Sequence, residues 1–322
     1  MRHILLWSLC LFALPCSAAA DEHRSFQFTY EIESTDFPVG KAVDIYIPLP
    51  VENEAQQILG ESIQSSHPGK KGQEEAYGNT YYHIHRPASN TEPLSATLSW
   101  TVNRKVLTAN GKGELSDARR EQFLGPNSLV PVGHEILKPI LEEIHQMRGD
   151  DSPQATARAI YDWVVDNVEY KKVGSGWGNG DTFWACNERY GNCTDFHALF
   201  ISLARSEGIP ARFEIGFPVP MDRDSGSIGG YHCWVQFYLP ELGWVPIDAS
   251  EAAKHPEQRE LLYGSHPANR IHFTTGRDLV LSSDPSGNSL NYFIYPHVEI
   301  DGEVYGKKIA TRFSFEEILD AP

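Results

Sequence analysis

The sequence predicts an α+β fold in which a β-sandwich precedes a mixed unit of helices and antiparallel strands. Apolar residues alternate with a period of two through residues 26–102, which is typical of half-buried strands. From residue 136 the apolar spacing becomes that of amphipathic helices, and strand-like runs return after residue 210. The predicted order along the chain is a signal peptide at 1–20, a β-sandwich domain at 21–107, a linker at 108–132, an α+β core at 133–255, and C-terminal strands at 256–322 that complete or flank this core.

The first residues are predicted to be a secretory signal peptide. A short basic start precedes an apolar run at 4–14, and the alanines at 18–20 supply small residues for cleavage before Asp21. The apolar run is well short of the ~20 residues that a membrane span needs, and no other segment of the sequence is apolar enough for one. We therefore expect an exported, periplasmic protein, with free secretion or a lipid anchor on Cys16 as lesser alternatives.

The chain is acidic, with a formal net charge of −16 at pH 7. Such a surface repels polyanions, so we expect no nucleic acid partner and no binding to anionic membrane surfaces. The charge is compatible with basic peptides as partners, although an acidic surface is also an ordinary way of keeping a protein soluble.

The β-sandwich is predicted from four runs of alternating apolar residues, at 26–32, 43–49, 81–84 and 98–102. The polar residues between the second and third runs, at 68–79, predict a long surface loop. His83 and His85 are spaced as metal ligands on one strand face, but the sequence offers no third ligand nearby, so a plain strand face is favoured. The polar segment 108–122 predicts the linker.

Two amphipathic helices are predicted next, one across 136–147 and one that Ser152 and Pro153 open toward Val168. A glycine-rich segment follows at 174–180. It lacks the Gly-Lys-Ser/Thr ending of a phosphate-binding loop, so its glycines are predicted to permit tight bends or a close approach of backbone to a ligand. A Gly-x-Ser-x-Gly motif is also missing, which argues against a serine hydrolase.

The rest of the chain is organised around the segment 191–200, which delivers a cysteine to the start of a helix. Apolar residues follow Phe196 at helical spacing, and Gly208 predicts a helix from Cys193 to about Glu207. A thiol at a helix N-terminus has a lowered pKa and lies beside backbone N–H groups that can bind an oxyanion. The alternative is a small buried apolar residue that happens to begin a helix.

A predicted hairpin downstream supplies the partners of such a thiol. His232 opens a strand that runs to Leu239, and Asp248 closes the return strand after a turn at 240–243. Strict pairing around this turn would place His232 opposite about residue 251 and not opposite Asp248, so we expect a β-bulge or a longer loop. A nucleophile, a base and an acceptor that orients the base are then available in Cys193, His232 and Asp248.

These motifs resemble the transglutaminase-like superfamily, relatives of the papain-type cysteine proteases. The resemblance covers about 163–253 and is carried by Gly-Asn-Cys-Thr-Asp-Phe-His (191–197), Gly-Ile-Pro-Ala-Arg (208–212), Tyr-His-Cys-Trp (231–234) and Gly-Trp-Val-Pro-Ile-Asp (243–248). It implies a papain-like transglutaminase core in which the cysteine helix packs on an antiparallel sheet. Some relatives carry a preceding β-sandwich domain, which agrees with the alternation at the start of the chain.

The resemblance implies Cys193 as nucleophile, His232 as general base and acid, and Asp248 as the residue that orients the imidazole. His197 lies one turn beyond Cys193, and its position on the flank of the helix favours a supporting role. No motif identifies the side chain that joins the Cys193 N–H group in an oxyanion hole. The candidates are Trp184, Asn192 and Trp177.

The predicted chemistry is acyl transfer on an amide bond: peptide or isopeptide hydrolysis, deamidation or transamidation, with hydrolysis favoured over crosslinking. The substrate is expected to be a protein or peptide, with a cell-envelope peptide as one candidate. We expect no cofactor, and no Asp-x-Asp-x-Asp-Gly loop suggests calcium. The alternative is a secreted, non-catalytic binding module that keeps the transglutaminase-like fold.

Three cysteines remain after signal removal, too few for a disulfide scaffold in so long a chain. Cys186 has a redox alternative, a disulfide with Cys193 or with Cys233. A metal site built from the three cysteines and His232 is a rival interpretation. It is disfavoured because adjacent strand residues such as His232 and Cys233 point to opposite faces, and we expect no metal.

Overall fold

The computed structural model describes residues 23–109, 111, 114–281 and 289–318. The predicted signal peptide at 1–20, with Cys16, lies outside the described residues. The fold is mixed α and β with mostly antiparallel sheets, which confirms the predicted α+β class. In the described ranges, no helix combines the length and the apolar character needed to cross a membrane.

The N-terminal part of the chain is rich in strands, as its alternation predicts. In β1 (His23–Ser34), Phe26, Phe28, Tyr30 and Ile32 are buried at every second position. The strands that follow are β2 (Val43–Pro48), β3 (Gln56–Ser65), β4 (Gly69–Gln73), β5 (Thr80–Arg86), β6 (Leu94–Lys105) and β7 (Leu107–Thr108). Each predicted alternating run overlaps one of these strands.

Strand β4 occupies a segment that was predicted to be a surface loop. Its sequence lacks the β-branched and aromatic residues that favour strands, yet it pairs antiparallel with β5. A Cβ atom on Gly69 or Gly72 would lie only 2.5 Å from the ring of Tyr82 or Tyr81. The tyrosine rings of β5 therefore cover the bare glycine backbone, and this packing compensates for the low strand propensity.

The first helix, α1 (Asp117–Leu124), forms inside the predicted linker because Ser116 caps it and accepts a hydrogen bond from Arg119 N. The two helices predicted next are present as α2 (Lys138–Met147) and α3 (Pro153–Asn167), and Ser152 caps the second. They are followed by α4 (Thr182–Glu188), α5 (Cys193–Ser206) and α6 (Ala249–Lys254), with 3-10 turns at Glu135–Leu137 and Pro256–Gln258.

A four-stranded antiparallel sheet, here called the central sheet, lies against α5. Its strands are β10 (Ala211–Pro218), β12 (His232–Leu239), β13 (Gly243–Ile247) and β15 (Arg270–Thr275), in the order β13-β12-β10-β15. Short strands between and beside them are β8 (Glu169–Tyr170), β9 (Tyr190–Gly191), β11 (Ser225–Ser227) and β14 (Ser265–His266). Helix α5 is buried from Cys193 to Arg205, so it forms the middle of this unit.

The C-terminal strands divide between the sheets. Of the C-terminal strands, which were expected to complete or flank the core, β15 joins the central sheet. Strands β16 (His297–Ile300), β17 (Glu303–Val304) and β18 (Ala310–Glu317) enter two five-stranded sheets, β17-β16-β2-β5-β4 and β11-β18-β1-β6-β3. Strand β18 lies within the predicted C-terminal strands, and Phe313 and Phe315 bury their rings against the N-terminal core.

The N-terminal sheets and the central sheet share one buried cluster. The ring of Phe28 lies 5.2 Å from that of Phe217 and 5.5 Å from that of Phe273, centre to centre. Through these aromatic contacts β1 packs against β10 and β15 of the central sheet. The domain boundaries stay a prediction, but the N-terminal strands clearly support the sheet that carries the candidate site.

Candidate active site

Cys193 is the first residue of α5, as predicted. Asn192 caps the helix: its Oδ1 accepts a hydrogen bond from Thr194 N at 2.9 Å, and Asn192 N donates to Asp195 Oδ2 at 2.9 Å. This reciprocal arrangement is a capping box. The thiol is therefore held at the positive end of the helix dipole, where a thiolate is favoured.

The hairpin brings His232 and Asp248 together without the expected bulge or longer loop. Regular pairing ends at Val235 and Ile247, so neither functional residue is part of the β12–β13 ladder. Asp248 is instead the N-cap of α6, a position with different backbone angles from those of a strand. The turn into the helix places Asp248 Oδ2 2.7 Å from His232 Nε2.

Cys193 and His232 lie close enough for each side chain to shift the pKa of the other. Since Nε2 of the imidazole faces Asp248, Nδ1 is left for the sulfur. Burial opposes ionisation of Cys193, but hydrogen bonds from Cys233 and His232 hold the pKa of its thiol well below the usual value. Burial also opposes protonation of His232, but Asp248 and Cys193 raise the pKa of the imidazole to about 10. At neutral pH the pair is therefore a thiolate and an imidazolium.

Asp248 is completely buried and has several partners. Its Oδ1 accepts hydrogen bonds from Glu251 N and Ser250 Oγ, both at 3.1 Å, and Arg270 Nη1 lies 3.3 Å from Oδ2. Burial alone would raise the pKa of this carboxyl, but the charge of His232 and its hydrogen bond outweigh burial and hold the pKa well below its usual range. Asp248 therefore carries a full negative charge beside the imidazole.

His197 lies beneath this group and is fully buried. Its Nδ1 is 3.4 Å from Cys233 Sγ, and its Nε2 is 3.6 Å from Asp248 Oδ1. Burial lowers the pKa of His197 to about 4, so the ring is neutral at neutral pH. A neutral ring that does not contact solvent fits the supporting role expected of it.

The three cysteines are free thiols, so neither predicted disulfide, Cys186–Cys193 nor Cys186–Cys233, is formed in this structure. Burial raises the pKa of Cys186 to about 11. Burial and the hydrogen bond to Cys193 raise the pKa of Cys233 well above its usual value. Cys193 is thus the thiol with the greatest tendency to ionise among the three.

No group of three or more His, Cys, Asp and Glu side chains within the described ranges has the geometry to hold a metal ion. The rival set of the three cysteines and His232 is included in that finding. His83 Nε2 and His85 Nδ1 lie 2.6 and 2.9 Å from Asp44 Oδ1, so this strand pair is engaged with a carboxylate on β2.

The thiol lies just below the surface. Cys193 is 2% exposed and His232 6%. Partly exposed residues border them, among them Tyr231, which precedes His232, and Glu251, whose Oε1 lies 3.7 Å from His232 Nε2. A site so nearly closed to water strengthens the electrostatic interactions within it.

Each of the three side chains predicted as oxyanion candidates already donates a hydrogen bond to an acceptor within the protein. These hydrogen bonds run from Trp184 Nε1 to Tyr190 O at 3.0 Å, from Trp177 Nε1 to Gly174 O at 3.1 Å, and from Asn192 Nδ2 to Tyr231 Oη at 3.1 Å. The oxyanion assignment stays a prediction, and only Asn192 among the three lies next to the thiol in the chain.

Asp195 holds the glycine-rich segment against the tip of α5. Its Oδ2 accepts a hydrogen bond from Gly178 N at 2.7 Å and its Oδ1 one from Gly180 N at 3.0 Å, besides the bond from Asn192 N. Arg277 secures the same segment through Gly180 O at 2.7 Å. The glycine-rich segment is therefore held in place against the start of α5, because its backbone groups have partners within the protein.

Three residues at the site received no role from the sequence. The sequence could have identified Asp195, because an acidic residue three positions after an N-cap indicates a capping box. It gave a weaker indication for Tyr231, which directly precedes His232. Arg270 had none, since its place beside Asp248 depends on β15 lying near the end of the hairpin.

Residues 142–249 match the family model described as the transglutaminase-like superfamily. The matched part includes α5 and the hairpin up to Asp248 and the start of α6. This segment is therefore a transglutaminase-like domain, as the motifs predict.

Known proteins extend this likeness along the chain. An uncharacterized protein of Haemophilus influenzae is 28% identical over 348 residues, which are 91% of this chain and 90% of that protein. The uncharacterized protein YebA of Bacillus subtilis is 32% identical over 79 residues, 22% of this chain and 11% of that protein. A crystal structure from Cytophaga hutchinsonii, named a "putative cysteine protease", covers 92% of this chain and 98% of its own with a TM-score of 0.54 at 20% identity. That structure supports the fold and, at this identity, nothing finer.

Proposed function

We propose that this protein is a thiol-dependent enzyme that transfers the acyl group of an amide bond through Cys193, His232 and Asp248. The observation that carries the proposal is the 2.7 Å hydrogen bond between His232 and the buried carboxylate of Asp248, with Cys193 close enough to His232 for each side chain to shift the pKa of the other. A thiolate, a base in reach, and an acceptor that orients the base are the parts that nucleophilic attack on an amide requires.

In the proposed reaction the thiolate of Cys193 attacks the amide carbonyl carbon and forms a tetrahedral oxyanion. His232 gives its proton to the departing amine nitrogen as the carbon–nitrogen bond breaks, which leaves a thioester on Cys193. The neutral imidazole then takes a proton from water as the water attacks the thioester. The acid product leaves, and the thiolate and imidazolium are restored.

Hydrolysis, including deamidation, is proposed over transamidation. Cys193 is 2% exposed, so a second large substrate has little room to deliver its amine, whereas a water molecule is small enough to attack the thioester. The substrate is proposed to be a protein or peptide. An exported, periplasmic enzyme, as the segment 1–20 predicts, would meet peptides of the cell envelope, and a net charge of −16 suits basic ones.

The same low exposure favours a second candidate, a non-catalytic binding module that keeps the transglutaminase-like fold. If no substrate reaches the thiol, the arrangement of Cys193, His232 and Asp248 serves the structure of the protein and not catalysis. The two candidates differ in whether Cys193 reacts with an electrophile and whether the protein then turns over an amide.

The test uses a peptidyl vinyl sulfone, which reacts with an activated thiol in place of an amide. We expect the intact wild-type protein to gain one adduct, mapped by mass spectrometry to Cys193, and Cys193→Ala to gain none. Cys186→Ala is the matched control and should label like the wild type, because burial keeps that thiol protonated. Undiminished labelling of Cys193→Ala would refute the assignment. A fully reactive Cys193 with no product from a broad panel of peptides and amides would favour the binding module.

A further inference from the structure

The proposed reaction needs donors for the oxyanion, and the Cys193 N–H group at the helix N-terminus supplies only one. Removing one donor from such a site typically costs about 100-fold or more in kcat, so a second donor is worth locating. The indole N–H groups of Trp177 and Trp184 already donate to backbone carbonyls. The second donor has to come from elsewhere beside the thiol.

Two neighbouring pairs of residues connect the tip of α5 to the start of β12. Cys193 meets His232, and the residues that precede each of them, Asn192 and Tyr231, meet through Asn192 Nδ2 and Tyr231 Oη at 3.1 Å. The phenol of Tyr231 thus lies against Asn192, the residue that directly precedes the thiol in the chain. Tyr231 is also partly exposed.

The proton of the Tyr231 hydroxyl is held only weakly. Its oxygen accepts the hydrogen bond from Asn192, and among the described residues its proton has Tyr292 Oη as an acceptor at 3.5 Å, the outer limit for a hydrogen bond. Tyr292 directs its own proton to Gly178 O at 3.0 Å. The Tyr231 proton can therefore turn to a better acceptor at little cost.

We propose that Tyr231 is a catalytic residue whose hydroxyl donates, together with the backbone N–H group of Cys193, to the oxyanion formed on the substrate. This assignment rests on the proposed function of Cys193. Asn192 assists without touching the substrate, because its amide donates to the phenol oxygen and makes the O–H group a stronger donor.

The hydroxyl acts as a hydrogen-bond donor and keeps its proton. Burial, and then the nearby negative charge of Cys193, raises the pKa of Tyr231 well above its usual range. The bond strengthens as negative charge passes from the sulfur to the carbonyl oxygen and weakens again when the tetrahedral species collapses.

The experiment separates thiol reactivity from oxyanion binding. Iodoacetamide alkylates a thiolate without forming an oxyanion, whereas N-acetylglycinal adds reversibly to the thiolate and places an oxygen where the oxyanion would lie. The alkylation rate of Cys193 is followed by peptide mass mapping at increasing aldehyde concentrations, which gives the aldehyde's dissociation constant without any substrate. The variant is Tyr231→Phe, and Tyr305→Phe, a partly exposed tyrosine packed on Phe37 of the N-terminal region, is the matched control.

We expect Tyr231→Phe to bind the aldehyde about 10-fold or more weakly, with its alkylation rate in the absence of aldehyde changed less than about 3-fold. Tyr305→Phe should match the wild type in both aldehyde affinity and alkylation rate.

Equal aldehyde affinity in Tyr231→Phe and the wild type would overturn the role of Tyr231. A wild-type Cys193 that is alkylated but gains no protection from the aldehyde would overturn it too. A wild-type Cys193 that does not alkylate would instead overturn the proposed function itself. New alkylation of Cys186 in Tyr231→Phe would show that this variant unfolds. In that case Tyr231→Trp is the second variant, because its indole keeps an N–H donor, and it should retain part of the aldehyde affinity. A folded Tyr231→Trp protein without any aldehyde affinity would also count against the role of Tyr231.

Discussion

His232 Nε2 and Asp248 Oδ2 lie 2.7 Å apart because the hairpin that carries them stops pairing before it reaches either residue. Asp248 is free of the strand ladder and caps α6, so its carboxylate is held by the helix on one side and by the imidazole on the other. Arg270 adds a third restraint at 3.3 Å. A carboxylate bound in this way acts as a fixed charge against which the imidazole is oriented.

Replacing this charge should reduce the reactivity of the thiol. Asp248→Asn removes the main force that raises the pKa of His232 to about 10, so the imidazolium loses its proton at a lower pH and Cys193 loses its counter-charge. We expect iodoacetamide to alkylate Cys193 about 10-fold more slowly at pH 6.5, since one pKa unit corresponds to a factor of ten. The pH at which alkylation is half-maximal should rise. Asp166→Asn, which alters an exposed ion pair with Arg259, is the control, and an unchanged profile in Asp248→Asn would contradict the prediction.

The three thiols should differ in their response to pH. At pH 6.5 the lowered pKa of Cys193 leaves it ionised, whereas burial raises the pKa of Cys186 to about 11 and that of Cys233 well above its usual value. Peptide mapping after brief exposure to iodoacetamide should find modification at Cys193 alone, and at all three cysteines in urea. Comparable labelling of Cys186 in the folded protein would show that the predicted order of pKa values is wrong.

Buried neutral histidines should make the fold sensitive to acid. Burial lowers the pKa of His197 and of His272 from 6.5 to about 4, so between these values the unfolded chain binds protons that the folded protein does not. Stability is therefore full above pH 6.5 and is lost as the pH falls toward 4, by about 3 kcal/mol for each histidine. The pKa of His232 is raised, so its contribution to stability is full below pH 6.5 and decreases as the pH rises toward 10.

Urea unfolding at pH 7.0 and pH 4.5 measures this loss. The difference between the two free energies of unfolding should shrink by roughly a third in His197→Gln, because one of three buried histidines with a lowered pKa, His197, His266 and His272, no longer titrates. The exposed His255→Gln is the matched control and should leave the difference unchanged. Equal stability of the wild type at both pH values would be evidence against buried neutral rings.

Asp195 should be important for the stability of the site. Asp195→Ala leaves three backbone N–H groups, those of Asn192, Gly178 and Gly180, without their buried acceptor. We expect a loss of about 3 kcal/mol in the free energy of unfolding, because each unsatisfied buried donor is costly. Hydrogen exchange of residues 174–180 should accelerate, while Asp222→Ala on the exposed surface changes neither quantity. Wild-type exchange rates in Asp195→Ala would mean that other contacts, such as those of Arg277, are sufficient to hold the segment.

The parts of the fold that could be predicted are those governed by local sequence. Alternation in β1 and β6 and the capped start of α3 depend on neighbouring residues, so their signals lie within a few positions. Strand β4 was missed because its composition disfavours a strand, and α1 was missed because its polar sequence, although rich in helix formers, has no apolar stripe and buries only Phe123. Tyrosine rings from β5 stabilise the first, and the second forms from a single capping serine in a polar segment.

The sequence alone determined the members of the candidate site: a cysteine at a helix start, a histidine and an aspartate at the two ends of a hairpin. Each is marked by its immediate neighbours in the chain, and the same neighbours carry the resemblance to the transglutaminase-like superfamily. Only the tertiary structure decided that Asp248 turns out of its strand, that Arg270 and His197 lie against it, and that Tyr231 meets Asn192. Those contacts join residues far apart in sequence, and their distances depend on how sheets and helices pack around a shared core, which no local pattern records.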